Sequence, residues 1–212
     1  MKILEVKELA IPEVKVIKFA RFCDDRGYFT ETYRKSDILS YEINKDLRLP
    51  TEFVQGNESF SHKNVFRGLH FQWNPYMGKL VRCVTGHIFD FALDIRKGSP
   101  NFGKVIGYEL RAKAQYDYSE WIWVPPGFAH GILTMDKSLI EYLCTGEYSQ
   151  GCEACIRMTN SGIDWSLFTI MQSLDSFGSL KKLVISEKDS NGLTLDEWLA
   201  KPESEEFVYG TI

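Results

Sequence analysis

Along the first three quarters of the chain, apolar and polar residues alternate with the period of two that marks half-buried β-strands. The stretch HIFDFALDIR, residues 87–96, shows it most cleanly: Phe89, Phe91, Leu93 and Ile95 point one way, and Asp90, Asp94 and Arg96 the other. One face is expected to meet a core and the other to be polar. Further strands are expected over 15–22, 28–33, 52–60, 64–71, 79–85, 105–110, 121–124, 131–135 and 139–145, separated by turn signals such as DDRG, NP, KGSPNFG and PPG. So many short strands at near-regular spacing predict an all-β sandwich or barrel, not a parallel sheet with crossover helices. Helix is scarce. One short helix is expected within 36–47, and another at TLDEWLA, where Thr194 and Glu197 have the spacing of a capping box. After Trp165 the pattern is less regular, and the acidic KPESEEF near the end reads as a solvated surface segment. There is no internal repeat.

Composition narrows the class. A chain of 212 residues is one domain of ordinary size, with or without an appendage, and 44% hydrophobic and 25% charged residues mark a globular protein with a real core. A net charge of -4 with scattered Lys and Arg gives no footprint for nucleic acid or an anionic membrane, so an anionic ligand would have to meet a local basic site. The opening MKILEVKELAIPEVKV mixes charges into its apolar residues, unlike a signal peptide or anchor, which points to a cytoplasmic protein with no membrane or nucleic-acid partner. The five cysteines read as buried free thiols, and CEAC, Cys152 to Cys155, lacks the second pair of a zinc site.

Four histidines make a metal site conceivable. PPGFAHG, with Pro125, Gly127 and His130, fits the second half of the metal pattern of double-stranded β-helix proteins. The first half needs H-x-H, which is absent. A three-histidine site assembled from other strands stays open, but the fold is expected without metal or cofactor. A second oddity lies in NVFRGLHFQ, residues 64–72, where Arg67 and His70 stand three apart in a strand. In regular pleating they would face opposite sides. Either Gly68 marks a bulge that re-aims one of them, or Arg67 reaches inward from the strand's margin.

DDRGYFTETY (24–33), FRGLHFQ with GKLVR (78–82), and WVPPGFAHG (123–131), in this order, resemble the dTDP-4-dehydrorhamnose 3,5-epimerase family of nucleotide-sugar biosynthesis. FVQGN, DIRKGSPNFGK, EYLCT, GIDW and SEKD extend the likeness from about Val14 to Asp189. The resemblance implies a cupin (jelly-roll-like) β-sandwich with a few peripheral helices, metal-free, acting as a homodimer on a nucleotide-diphosphate sugar. Residues 1–189 would form the epimerase domain, and 190–212 a helix and tail packed on it or extending from it.

The resemblance also implies roles. Inverting a carbon beside the C4 ketone needs a base on one face, an acid on the other, and a group to hold the enolate oxygen. His70 matches the base, Asp189 the aspartate that orients it, and Tyr142 the proton donor. Lys79 matches the cation near the C4 oxygen, which by analogy with other oxyanion donors is worth about 3–4 kcal/mol. Arg67, Arg26, Glu31, Gln55, Asn57, His130 and Glu153 match substrate contacts, Arg26 and Glu31 acting from the neighbouring subunit, and Tyr148 matches the aromatic that stacks on the base. Asp90, on the polar face of its strand, is expected behind these groups with His70, Lys79 or Arg96 as partner. The plainer readings are a core histidine at 70, a turn or capping aspartate at 189, a core tyrosine at 142, a solvated lysine at 79 and a turn histidine at 130.

The match has gaps. Gly56 stands where the family usually has aspartate, Leu143 follows the tyrosine in place of lysine, IRMTNSGIDWS lacks a tryptophan-asparagine-aspartate run, and 166–184 carries extra residues. The leading expectation is a double epimerase of dTDP-4-keto-6-deoxyglucose. Its rivals are a C3-only epimerase of a related sugar, a metal-dependent cupin enzyme and a non-catalytic sugar-nucleotide binding module.

Overall fold

The computed structural model describes residues 1–38, 52–112, 114–159, 161–168 and 183–212. It is a cupin-like β-sandwich of two layers, antiparallel except where β13 joins β6. The strands are β1 (Ile3–Glu8), β2 (Lys15–Ala20), β3 (Phe22–Asp24), β4 (Gly27–Phe29), β5 (Gln55–Ser61), β6 (Val65–Gln72), β7 (Lys79–Asp94), β8 (Val105–Ala112), β9 (Tyr118–Val124), β10 (Phe128–Thr134), β11 (Ser138–Cys144), β12 (Glu153–Cys155) and β13 (Val184–Ile185). One layer runs β1-β2-β9-β7-β11-β5, and the other β8-β7-β10-β6-β12, with β13 alongside β6; β3 and β4 form a separate hairpin.

The long β7 belongs to both layers, where the sequence pattern divides it into two strands. Its first part pairs with β9 and β11, and from Gly86 onward it pairs with β8 and β10. Gly86 sits at φ +93°, against Lys137 and Ser138, so the chain passes from one layer to the other without a turn. β1, β12 and β13 were not expected: they are two to six residues long and carry little alternation.

The alternation in β7 also has a different outcome from the expected core face and polar face. Ile88 and Ala92 enter the apolar cluster between the layers with Val81, Ile106, Ile122, Phe128, Ile132 and Ile140. Phe89, Phe91, Leu93 and Ile95 look outward, yet they are buried too, under Phe168, Trp198 and Phe207 from the C-terminal quarter. Asp90 and Asp94, on the same side of the strand as Ile88 and Ala92, are fully buried and need partners. Asp94 has them in Arg96 (Nη2 donating at 2.6 Å, Nε at 3.0 Å) and Ser99 (2.6 Å).

The helices are short. α1 (Lys35–Ile38) occupies the start of the predicted 36–47 helix, whose remainder lies outside the described residues. α2 (Glu187–Ser190) carries Asp189, and α3 (Leu195–Leu199) has the expected capping box between Thr194 and Glu197. Trp198 is fully buried against Phe71 and Phe207, with its indole N–H donating to the Ile95 carbonyl at 3.3 Å. The acidic segment that follows is therefore not simply solvated: Glu205 and Glu206 face water, but Ser204 and Phe207 are buried. All five cysteines are free; Cys83, Cys144 and Cys155 are buried as expected, whereas Cys23 is exposed.

Candidate active site

A pocket of about 200 Å³ opens between the layers, lined by Ser59, Arg67, His70, Lys79, Val81, His130, Gly131, Ile132, Ile140 and Tyr142. Its walls come from both sheets: His70 and Arg67 from β6 and His130 from β10 on one side, Tyr142 from β11 and Lys79 from the start of β7 on the other.

The question of Arg67 and His70 has a definite answer. His130 pairs with His70 and Ile132 with Arg67, so two steps along β10 match three along β6, and the extra residue is a bulge at Gly68. Gly68 has φ +131°, and a Cβ there would lie 2.5 Å from the Gly131 Cα and 2.9 Å from the His130 carbonyl oxygen. Only glycine fits. Both side chains reach one pocket because of it, and Arg67 is held by its Nε–H donating to Ser61 Oγ at 2.9 Å.

Behind His70 stands Asp189. Its Oδ1 lies 2.7 Å from His70 Nε2, and its Oδ2 accepts the Gly68 N–H at 3.2 Å. A carboxylate at Nε2 holds the proton there and leaves Nδ1 as the basic nitrogen. Burial raises the Asp189 pKa, but the bonds from His70, Gly68 and Ser186 outweigh it, so the carboxyl stays below its ordinary range and ionised. The turn that presents it is fixed locally, because Ser186 caps α2 by accepting the Asp189 N–H at 3.1 Å.

A second pair forms where His130 Nε2 meets Asp90 Oδ2 at 2.9 Å. Burial lowers the His130 pKa against the opposing effect of Asp90, so this imidazole is held neutral. Asp90 therefore partners His130, not His70 or Arg96. Lys79 has its pKa lowered, chiefly by burial, and Tyr142 has its phenol raised for the same reason. A phenol that keeps its proton is suited to donate one.

Beyond this wall of the pocket, Gln55 donates to Asn57 Oδ1 (3.0 Å) and accepts the Tyr148 N–H (2.8 Å). Tyr148 is exposed, and its hydroxyl donates to Glu153, which also accepts from Lys188, each at 2.9 Å. Lys188 and the pocket's Ser59 were missed by the sequence reading; Lys188 adjoins Asp189 and could have been found from that position alone. Cys155 was also missed as a site neighbour: it pairs with His70 across β12 and β6, and burial pushes its thiol up to about 12. Arg26 and Glu31 are not brought to the pocket. Arg26 projects from the β3–β4 hairpin, bound to Asp24 (2.5 Å), and Glu31 pairs with Arg34 and the N-terminus.

Among the described residues no helix is long and apolar enough to cross a membrane. The family model described as dTDP-4-dehydrorhamnose 3,5-epimerase matches residues 8–197. A relative of that name from Escherichia coli is 38% identical over 201 residues, covering 92% of this chain and 96% of the relative. One from Neisseria gonorrhoeae is 40% identical over 169 residues, 78% of this chain, and there the match spans about half (48%) of a longer relative. The crystal structure of a dTDP-6-deoxy-D-glucose-3,5-epimerase from Legionella pneumophila in complex with dTDP-4-keto-L-rhamnose superposes with a TM-score of 0.75 at 32% identity, covering 94% of this chain and 96% of that one. With a family match across nearly its whole length and a two-layer fold that agrees, the chain belongs to the dTDP-4-dehydrorhamnose 3,5-epimerase family of isomerases.

Proposed function

We propose that this epimerase inverts both C3 and C5 of dTDP-4-keto-6-deoxyglucose, with His70 as base and Tyr142 as acid. The observation that carries the reading is their placement: base and acid stand on different layers of the sandwich, with one cavity between them. A sugar held there has one face toward each. His70 Nδ1 removes the proton next to the ketone, and Asp189 stabilises the imidazolium that forms. The Lys79 ammonium meets the charge gathering on the C4 oxygen, and Tyr142 returns a proton from the other side. After the first inversion the protons are restored from solvent and the second carbon is presented.

Arg67 supplies the diphosphate with a guanidinium whose direction Ser61 fixes. Gln55, Asn57, Glu153 and Tyr148 form the rim where the nucleotide rests, and His130 contacts the sugar. The exposed hairpin of Phe22, Tyr28 and Phe29 fits a role in a homodimer, carrying Arg26 and Glu31 into the neighbour's pocket. The work is done in the cytoplasm.

Incubation of the protein with dTDP-4-keto-6-deoxyglucose in deuterated water tests this. Label at C3 and C5 is expected. Label at C3 alone would make it a single epimerase, and no label would sink the assignment. Mixing His70→Ala with Arg26→Ala subunits tests the shared site: recovered activity is expected, and none would confine each pocket to its own chain.

A further inference from the structure

We propose that His70, Cys155 and Asp189 form a binding site for a thiophilic divalent cation of the zinc type, and that its occupation silences the enzyme. A ring nitrogen of His70, the Cys155 sulfur and a carboxylate oxygen of Asp189 all lie within 4.8 Å of one another. Imidazole, thiolate and carboxylate are the donors zinc prefers, and three protein ligands with a fourth position open is a common arrangement for it.

The fold brings these donors together by independent means. Cys155 is directly opposite His70 in the β12–β6 ladder, so their side chains share a face. Asp189 reaches the same point from α2, held by the Gly68 N–H at 3.2 Å and by its capped turn. The Cys155 sulfur makes a long contact, 3.6 Å, to the Ile156 carbonyl and a backbone contact with Leu69, weak bonds that a sulfur–metal bond can replace. His70 opens to the pocket, with 35% of its side chain exposed, and gives an ion its way in.

Binding replaces the bond between His70 Nε2 and Asp189. The ring proton moves to Nδ1, Nε2 donates its lone pair to the metal, and Cys155 releases its proton to solvent as the sulfur–metal bond forms. One proton leaves per ion, water fills the fourth position, and no electron changes hands. The basic nitrogen is then blocked. The silencing rests on the proposed role of His70 as base; the binding does not.

Cobalt(II) is the probe for binding, through its thiolate-to-metal absorption, and zinc chloride for inhibition, read by the deuterium-exchange assay. The wild-type protein should take up one cobalt ion with that absorption, and zinc should suppress exchange until EDTA restores it. Cys155→Ala should exchange deuterium at the wild-type rate, lose the absorption and need at least 10-fold more zinc for the same inhibition; Cys155→Ser is the isosteric second variant. No absorption in the wild type, or an absorption that survives in Cys155→Ala, would overturn the site. Absorption in the wild type with exchange undiminished by zinc would keep the site and overturn the role of His70 instead.

Discussion

Two histidine–carboxylate pairs stand side by side in the pocket wall, on adjacent strands whose histidines pair directly, and they are made differently. In the pair of His70 and Asp189 the imidazole is 35% exposed, and the carboxylate arrives from a capped turn with a further donor in the Gly68 N–H. In the pair of His130 and Asp90 the imidazole is 11% exposed and the carboxylate not at all, with its Oδ1 given no protein donor among the described residues. The first can trade protons with a ligand. The second lines the same pocket, but burial of its ring and its carboxylate holds the imidazole neutral. Residue type does not distinguish these roles; access does.

The sharpest way to test that contrast is to remove each histidine. His70→Ala should lower deuterium exchange by about 10³-fold, within the usual range for losing a positioned base, with the folded state little changed. His130→Phe should act first on stability. It strands a buried carboxylate at a cost of about 3–5 kcal/mol, a drop of about 10 °C in melting temperature for a chain of this size, measurable by calorimetry. Equal losses of exchange at unchanged stability in both variants would erase the distinction.

Moving the pairs apart is the next largest perturbation. In Gly68→Ala the new methyl must push β6 from β10 where they touch at Gly131, and the residue keeps a positive φ that suits only glycine. A loss of about 1–3 kcal/mol in denaturant unfolding is expected, together with a fall in kcat larger than any rise in KM. The smallest effect is in acid. The folded pKa of His130 is held below its ordinary 6.5 by burial, so the unfolded chain binds the proton first, and stability falls as pH drops below about that value. Asp189 has a folded pKa below 3.8, so its contribution is present above that value and is lost only as pH falls through the lower folded one. His130→Gln should flatten the melting-temperature curve between pH 6.5 and the acid limb, by no more than about 1.4 kcal/mol per pH unit, while Asp189→Asn should leave that window unchanged.

Much of this architecture is written in the pattern. Period-two alternation located most strands because each has at least one face against apolar neighbours, and Thr194 and Glu197 announced α3 because a capping box is local chemistry. β7 was divided in two because Gly86 looks like punctuation, when it is the corner of a continuous strand. The outward Phe89 and Phe91 read as a sandwich core because nothing in their own stretch reveals that Trp198 and Phe207 will cover them. At the site, His70, Lys79 and Tyr142 were legible through the motifs around them. The pairing of Asp90 with His130, the grip of Ser61 on Arg67 and the nearness of Cys155 to His70 were not, since each depends on register between strands distant in sequence.

The link from His70 to Asp189 spans 119 residues, and α2 and Trp198 follow all the described strands in chain order. Strands β2 to β11 can pair without that segment, but the pair of His70 and Asp189 forms only when it docks. A chain cut before α2 would thus keep the strand pairings of β2 to β11 and lose the carboxylate behind His70.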